Sequence, residues 1–389
     1  MDLIIIPFHD WRKSEKEGFR TRDVHFINAL RKEKAVDKIL VINRPITYLE
    51  LFYKGHKRYL NGELVLRNKE FLLTQVHENV FVADFFSNDI IGQAIHKFKW
   101  FIKKYNNAKY KHFINECTKE LEFESPYLIT QNIFAYKLAV SLKAKSKLFD
   151  AWDNFLKFPG YKNLRKELKK GYSKSSREIV KWTTNSNENI KFYKVNFGVQ
   201  KIELIKNGVK IDFIGENYEV PSDLKEIAKP WIGFGGKISY LMDVDLINYL
   251  TRKNPNLSFV FVGQILDKTV YEKIKKRENV HFLGDKKYDI YPNYVRSFDI
   301  CIVPYNIKGK QHGGDSMKAY EYLLANKKVV GTNGNGLEDL KENVYVVDTK
   351  REFSKEISNT ENKKMPLDLN SHSWESKAKR VIYILQKNQ

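Results

Sequence analysis

Lys318 and Glu321 stand three residues apart in the segment HGGDSMKAYEYLLANKKVV (312–330), which reads as a helix entered through two glycines and left into an apolar run. At that spacing the two side chains share one helical face. Gly313 and Gly314 let backbone N–H groups approach an anion closely, and a helix N-terminus favours negative charge. Lys318 falls two or three positions from a cap at Asp315 or Ser316, within reach of phosphate oxygens. Glu321 misses the third helical position from either cap, so it is not placed for a capping box. A carboxylate there can accept two hydrogen bonds from the vicinal hydroxyls of a ribose. The same two residues also suit a surface ion pair contributing roughly 0.2–0.5 kcal/mol, and taken alone they leave both readings open.

A second anion-compatible segment is WIGFGG followed by Lys237, residues 231–237. It brings bare backbone and one cation to the end of a strand-like run. Ile238 stands where a dinucleotide fingerprint needs its third glycine, and the P-loop spacing is absent as well. For proton transfer, FDAWDNF offers Asp153 just past the end of a strand-like run, with Asp150 in the strand as the alternative. His9 and Asp10, after the first apolar run, compete for the same role. Each acid also suits a helix cap or a loop. Arg20 and Arg22 precede a helical segment, where they can meet an acceptor phosphate or solvate the helix start.

The elements that must carry these residues alternate. Apolar runs at 3–8, 38–43, 80–85, 127–131, 147–150 and 182–184 are separated by helical patterns at 21–33, 88–120, 133–143, 161–170 and 187–195. Residues 59–76 interrupt the alternation as an inserted hairpin, with Asn61-Gly62 and Arg67-Asn68-Lys69 as turns. In the second half, strands are predicted at 231–233, 259–262, 280–283, 300–304, 328–331 and 344–347. Helices are predicted between them near 243–253, 267–277, 290–297, 316–325 and 351–358. This βα alternation predicts an α/β fold of two βαβ domains with parallel sheets. The expected division is 1–204, 205–370 and a terminal helical stretch, 371–389, that can pack back on the first domain. Loops at the carboxyl ends of such strands line a ligand crevice.

Among 389 residues, 30% are charged and 14% aromatic, a globular composition, and the formal charge is +21. Such a field attracts polyanions: nucleic acid, an anionic membrane surface or phosphorylated substrates. A lysine-rich surface with no dedicated partner gives the same number. Two cysteines give neither a disulfide framework nor metal-ligand spacing, no acid-rich metal site is visible, and a reducing cytoplasmic setting fits. No apolar run approaches the ~20 residues that span a bilayer, and the N-terminus reads as a strand rather than a signal peptide. The segment AIHKFKWFIKKYNNAKYKHF (94–113) sets apolar residues on one helical face and lysines on much of the rest. It predicts either a helix packed on the sheet or one lying on an anionic membrane, with Trp100, Lys103 and Lys104 as contacts.

Taken in order, KNGVKIDFI, IGFGGKIS, PNLSFVFVGQ, NVHFLGDKKYDIYPNYVRSFDICIVPY and KAYEYLLANKKVVGT resemble the nucleotide-binding domain of GT-B glycosyltransferases. The similarity is nearest to bacterial group 1-like enzymes that build cell-surface polysaccharide, including the teichuronic-acid type. It covers residues 205–350 well and the first half more loosely, through RTRDVHFINAL and LFDAWDNF. The resemblance implies two Rossmann-like domains facing across a cleft, the second binding a nucleotide sugar and the first holding the acceptor. Glu321 then matches the ribose-binding acid, Lys318 a donor-side basic position, and Gly236 with Lys237 the phosphate-contacting pair; Gly313 and Gly314 lie by the donor's phosphates or sugar. The implied activity is metal-independent sugar transfer, without a cofactor, from a UDP- or GDP-sugar to a surface-polysaccharide or lipid-linked glycan. The enzyme would work peripherally on the inner face of the cell membrane.

Three positions depart from the family pattern. Many relatives carry a second Glu where this chain has Gly313, and Asp315 or backbone alone must then hold the sugar. Asn326 replaces a glycine and Lys328 a proline. An inverting enzyme requires a base such as Asp153; a retaining one does not. The competing readings are a GT-B-type nucleotide-sugar epimerase, whose acid and histidine set is not assembled here, and a basic polyanion- or membrane-binding protein without catalysis.

Overall fold

The structure, a computed structural model, describes residues 1–215, 217–306 and 314–387. It divides into two compact units. The first is Met1–Lys206 with the terminal helix Trp374–Gln386, and the second is Asn207–Ser373.

Ten strands form the sheet of the first unit: β1 (Leu3–Ile6), β2 (Ile39–Ile42), β3 (Ile46–Thr47), β4 (Glu63–Arg67), β5 (Phe71–His77), β6 (Val80–Ser87), β7 (Tyr127–Thr130), β8 (Lys147–Asp150), β9 (Lys181–Thr184) and β10 (Lys201–Leu204). Their order is β10-β9-β8-β7-β1-β2-β6-β5-β4, with β3 pairing β6. From β10 to β6 every pairing is parallel. LIII, ILVI and YLIT are buried at all four positions, as strands covered on both faces must be. The inserted hairpin adds β5 and β4 as an antiparallel edge. Its turn is held by Asn68 Oδ1, which accepts from Glu70 N at 3.0 Å and Phe71 N at 2.9 Å. β10 was not apparent from the pattern of KIEL, which is half exposed on the edge. The terminal helix packs on the helix Arg22–Leu30, where Trp374 stacks on His25 with ring centroids 5.0 Å apart.

The single helix expected over 88–120 is three: Ile90–His96, Phe98–Tyr105 and Ala108–Glu120. Lys97 takes φ +48° at the first break, and Asn107 caps the third helix by accepting from Lys109 N and Tyr110 N. This breakage corrects the membrane reading of the middle helix. Trp100 is 0% exposed and its indole donates to Asp89 Oδ2 at 3.1 Å, while Lys104 pairs with the same carboxylate at 3.0 Å. Of the three residues expected to touch lipid, only Lys103 is exposed. Among the described residues, no helix is long and apolar enough to cross a membrane.

The second unit is built on β11 (Trp231–Gly235), β12 (Ser258–Val262), β13 (Val280–Gly284), β14 (Ile300–Val303), β15 (Lys328–Thr332) and β16 (Tyr345–Val347). Their order, β13-β12-β11-β14-β15-β16, is parallel throughout. Chain order reverses at β11, with β12 on one side and β14 on the other. In the first unit it reverses at β1, between β2 and β7. These reversals open crevices at the carboxyl ends of the central strands, so the crevice of each unit is fixed by topology alone. Asn326 adopts the left-handed cap expected of it, φ +54°. Lys328, where relatives carry proline, is buried with its ammonium donating to Asn359 O at 2.8 Å and facing Glu356 at 3.2 Å.

Candidate functional site

In the second unit the reversal crevice gathers what the sequence suggested. β11 delivers the chain to Gly236, which has φ +139° and whose N–H donates to Val262 O at 2.8 Å. A β-carbon on Gly236 would lie 2.7 Å from Lys318 Cε, so bare backbone and the lysine are in direct contact. Lys318 sits on the helix Met317–Leu324, its ammonium donating to the Tyr305 hydroxyl just beyond β14. It also lies 5.4 Å from the centre of the Phe234 ring. Glu321, 8% exposed, accepts from the Tyr288 hydroxyl at 2.8 Å, and Tyr288 follows β13. A cation, a carboxylate and glycine backbone therefore converge from the ends of three strands and one helix. That set can neutralise a diphosphate and accept from ribose hydroxyls.

Gly263 underlies the loop. With φ +148°, its β-carbon would fall 2.0 Å from Gly236 O, a clash with backbone rather than with a movable side chain. Gly263→Ala is therefore expected to displace Gly236, lowering stability by ~1–3 kcal/mol and weakening nucleotide binding as well. Thermal melts and calorimetry check both effects; unchanged binding would separate Gly236 from the site.

The helix begins at Ser316, whose side chain makes no capping bond and whose buried hydroxyl has no partner among the described residues. Asp315 is committed elsewhere. Its carboxylate accepts from Asn207 N at 2.6 Å and from the Tyr320 hydroxyl at 2.9 Å, tying the entry of the unit to the helix start. It is a structural tie rather than a substitute for the acid missing at 313. Gly314 is buried at this junction and Lys237 is exposed beyond β11; Gly313 lies outside the described residues.

In the first unit the corresponding edge carries His9 after β1. Its Nδ1 lies 3.0 Å from Asp23 Oδ2, and its N–H donates to the same oxygen at 2.8 Å. Asp23 is 1% exposed. Burial pushes its carboxyl up, but the His9 imidazole and the bonds from His9 and Thr21 hold it well below the usual carboxylate range. Trp152 and Phe8 flank the histidine, with ring centroids 6.3 and 5.1 Å away.

Arg22 corrects the acceptor-phosphate reading. Its guanidinium is buried, bidentate to Asp150 at 2.9 and 3.0 Å, and donates also to Ile205 O. Asp150 further accepts from Gln131 and Thr183, so neither group is available to a substrate. Arg20 lies nearer the surface, 3.5 Å from Glu17. Asp153 is buried past β8, with its carbonyl accepting from the Tyr193 hydroxyl at 3.1 Å. Tyr288, Tyr305 and Asp23 were not anticipated. The two tyrosines stand within a few residues of a strand end, which is the one signal the sequence offered for them.

Residues 241–361 match the family described as Glycosyl transferases group 1. That match lies within the second unit, Asn207–Ser373. TuaH of Bacillus subtilis (strain 168), named for a glycosyltransferase role in teichuronic acid biosynthesis, is 29% identical over 146 residues. That match covers 36% of this chain and 36% of TuaH, so it spans about a third of the curated relative's length. Among solved structures, an α,α-trehalose-phosphate synthase (UDP-forming) from Burkholderia xenovorans superposes with a TM-score of 0.67 over 100% of both chains at 12% identity. A sucrose-phosphate synthase from Thermosynechococcus elongatus reaches 0.60 over 99% of this chain and 95% of its own, at 11% identity. At such identities the likeness carries the fold, and the fold is GT-B: two Rossmann-like domains, each with a parallel sheet.

Proposed function

We propose that this chain is a glycosyltransferase that moves a sugar from a UDP- or GDP-sugar to a hydroxyl of a surface-polysaccharide or lipid-linked glycan. The observation that carries the reading is the junction of Gly236, Lys318 and Glu321 at the strand-order reversal of a domain matching group 1 glycosyl transferases. Lys318, Lys237 and glycine backbone would stabilise the diphosphate as it leaves, and Glu321 would hold the ribose. Among the described residues no cluster of His, Cys, Asp and Glu could hold a metal ion, and the proposed charge balance uses lysines instead. UDP is the first donor nucleotide to test, because the trehalose-phosphate synthase relative is UDP-forming.

The test is nucleoside diphosphate release from a panel of UDP- and GDP-sugars, with and without membrane glycolipid extract, in EDTA. Release stimulated by extract from one donor supports the proposal; no release from any donor refutes it.

Membrane contact belongs to this reading, but on a different face from the one the sequence suggested. The helices Tyr48–Tyr53 and Ile90–His96 are joined by Gln93, which donates to Glu50 at 2.6 Å. They expose Phe52 (81%), Tyr53 (78%), Ile91 (75%) and Ile95 (68%). Lys54, Lys57, Lys97 and Lys99 are exposed beside them in the chain. Apolar side chains bordered by lysines fit an anionic bilayer surface. The double variant Phe52→Ser/Ile91→Ser is expected to reduce flotation with phosphatidylglycerol vesicles about tenfold, and high salt to weaken wild-type binding. Equal flotation of variant and wild type would remove this face from consideration.

A further inference from the structure

We infer that the inserted hairpin builds a phosphate pocket on the first unit, and that its occupant is the headgroup phosphate of a membrane phospholipid. The phosphate chemistry stands on the first unit alone, while the lipid source rests on the membrane reading above.

The pocket, of about 720 Å³, is lined by Tyr48, Arg58, Arg67, Asn68, Lys69 and Asn88. Topology brings these residues to one place. β3 pairs the end of β6, Ile46 opposite Phe86 and Thr47 opposite Ser87, so Tyr48 and Asn88 follow from neighbouring strand ends. β5 runs against β6 with Phe71 opposite Phe85, which sets the hairpin turn at the same end. β2 stands between β6 and β1, so the pocket is separate from the strand-order reversal at β1.

Three cations meet there without an acid to match them. Among the described residues, Arg58, Arg67 and Lys69 form no ion pair, and the acids nearby are committed elsewhere. Glu70 faces Lys109 at 3.8 Å, Glu50 pairs with Arg44 and Lys54, and Asp84 pairs with Arg12. Arg58 is nonetheless held. Its guanidinium packs on the rings of Phe86, Tyr48 and Tyr59 at 5.3, 5.5 and 5.7 Å. Its Nη2 donates to Lys69 O at 3.0 Å, and the Tyr48 hydroxyl donates to the same carbonyl at 3.0 Å. Arg67 lies 5.9 Å from the Tyr59 ring that Arg58 also faces. Arg58 Nε is buried with no partner among the described residues, so packing rather than an ion pair sets the pose.

A guanidinium positioned in advance loses little freedom on binding, and its planar donors match phosphate oxygens. Like charges gathered without a counter-ion repel, and a phosphate near two negative charges offsets that repulsion. One carboxylate, with a single charge, matches two arginines and a lysine less well. The bilayer enters through the same elements. Tyr48 opens the helix Tyr48–Tyr53, which exposes Phe52 and Tyr53. Asn88 stands just before the helix Ile90–His96, which exposes Ile91 and Ile95. The pocket therefore sits at the roots of both helices that carry the apolar face, as a headgroup site beside acyl chains requires.

The experiment has two arms. Inorganic pyrophosphate is titrated by calorimetry into the Lys318→Ala chain, which lacks the lysine proposed to hold phosphate in the second unit. The wild-type chain is floated on phosphatidylcholine vesicles carrying phosphatidic acid. The test variants are Arg67→Ala/Lys69→Ala, which changes two exposed side chains, and Arg58→Lys, which keeps the charge but loses the planar fork. Saturable pyrophosphate binding is expected, weakened ~10- to 30-fold by the double variant and about fivefold by Arg58→Lys. Vesicle binding should fall by a similar factor in the double variant, and pyrophosphate at constant ionic strength should displace the wild type. Absence of pyrophosphate binding, or binding indifferent to the double variant, overturns the pocket. Pyrophosphate binding with equal flotation of wild type and double variant assigns the phosphate to a soluble molecule and overturns the lipid source alone. A wild-type chain that binds pyrophosphate but never floats overturns the lipid source and the membrane reading together.

Discussion

Glu321→Ala is expected to weaken UDP binding by roughly 30- to 100-fold, the largest loss of any single change in the second unit. Two charge-assisted hydrogen bonds from ribose hydroxyls contribute ~2–3 kcal/mol once the carboxylate is taken away from water. The carboxylate is already 8% exposed and oriented by Tyr288, so little ordering is needed on binding. Glu321→Gln keeps one acceptor oxygen and should lose less. The decisive comparison is with a 2′,3′-dideoxy nucleoside diphosphate, which cannot donate to Glu321. Wild type and Glu321→Ala should bind it equally, while Lys318→Ala weakens both ligands through their phosphates. If Glu321→Ala weakens the dideoxy ligand as strongly as UDP, the carboxylate acts through the fold and not through the ribose.

Arg22→Ala is expected to have the largest effect on stability. Removing the guanidinium leaves Asp150 buried with only Gln131 and Thr183, and breaking a buried pair in this way costs ~3–5 kcal/mol. The same side chain also satisfies the carbonyl of Ile205 at the end of the first unit's chain. Urea denaturation should show the loss directly, and any fall in activity should follow the folded fraction. Wild-type stability with a raised KM for the acceptor would instead return Arg22 to substrate binding.

The parallel architecture was legible because short runs rich in β-branched residues such as LIII and ILVI, buried at every position, recur between helical segments as strands of a covered sheet do. That Lys318, Glu321 and Gly236 gather at one end of the second sheet was legible for a related reason, since all three lie on or beside elements whose register the sequence determines. Residues 94–113 were not. Their helical periodicity is real, but a positive φ at Lys97 and a cap at Asn107 divide the segment, and Asp89 draws Trp100 and Lys104 inward. Arg22 and Asp150 are 128 residues apart, as are none of the spacings a local pattern can register. The His9–Asp23 contact fails for the same reason on a shorter scale. Fourteen residues and a helix start separate the partners, and only the folded loop brings them together.

The central claim is that the edge of the second sheet, at Gly236, Lys318 and Glu321, binds a nucleoside diphosphate. Calorimetric titration of the wild-type chain with UDP, GDP and ADP tests it most directly. The account predicts saturable binding of UDP or GDP at one site per chain, reduced by Lys318→Ala and Glu321→Ala. Absence of binding by all three nucleotides, or binding indifferent to both substitutions, would contradict it.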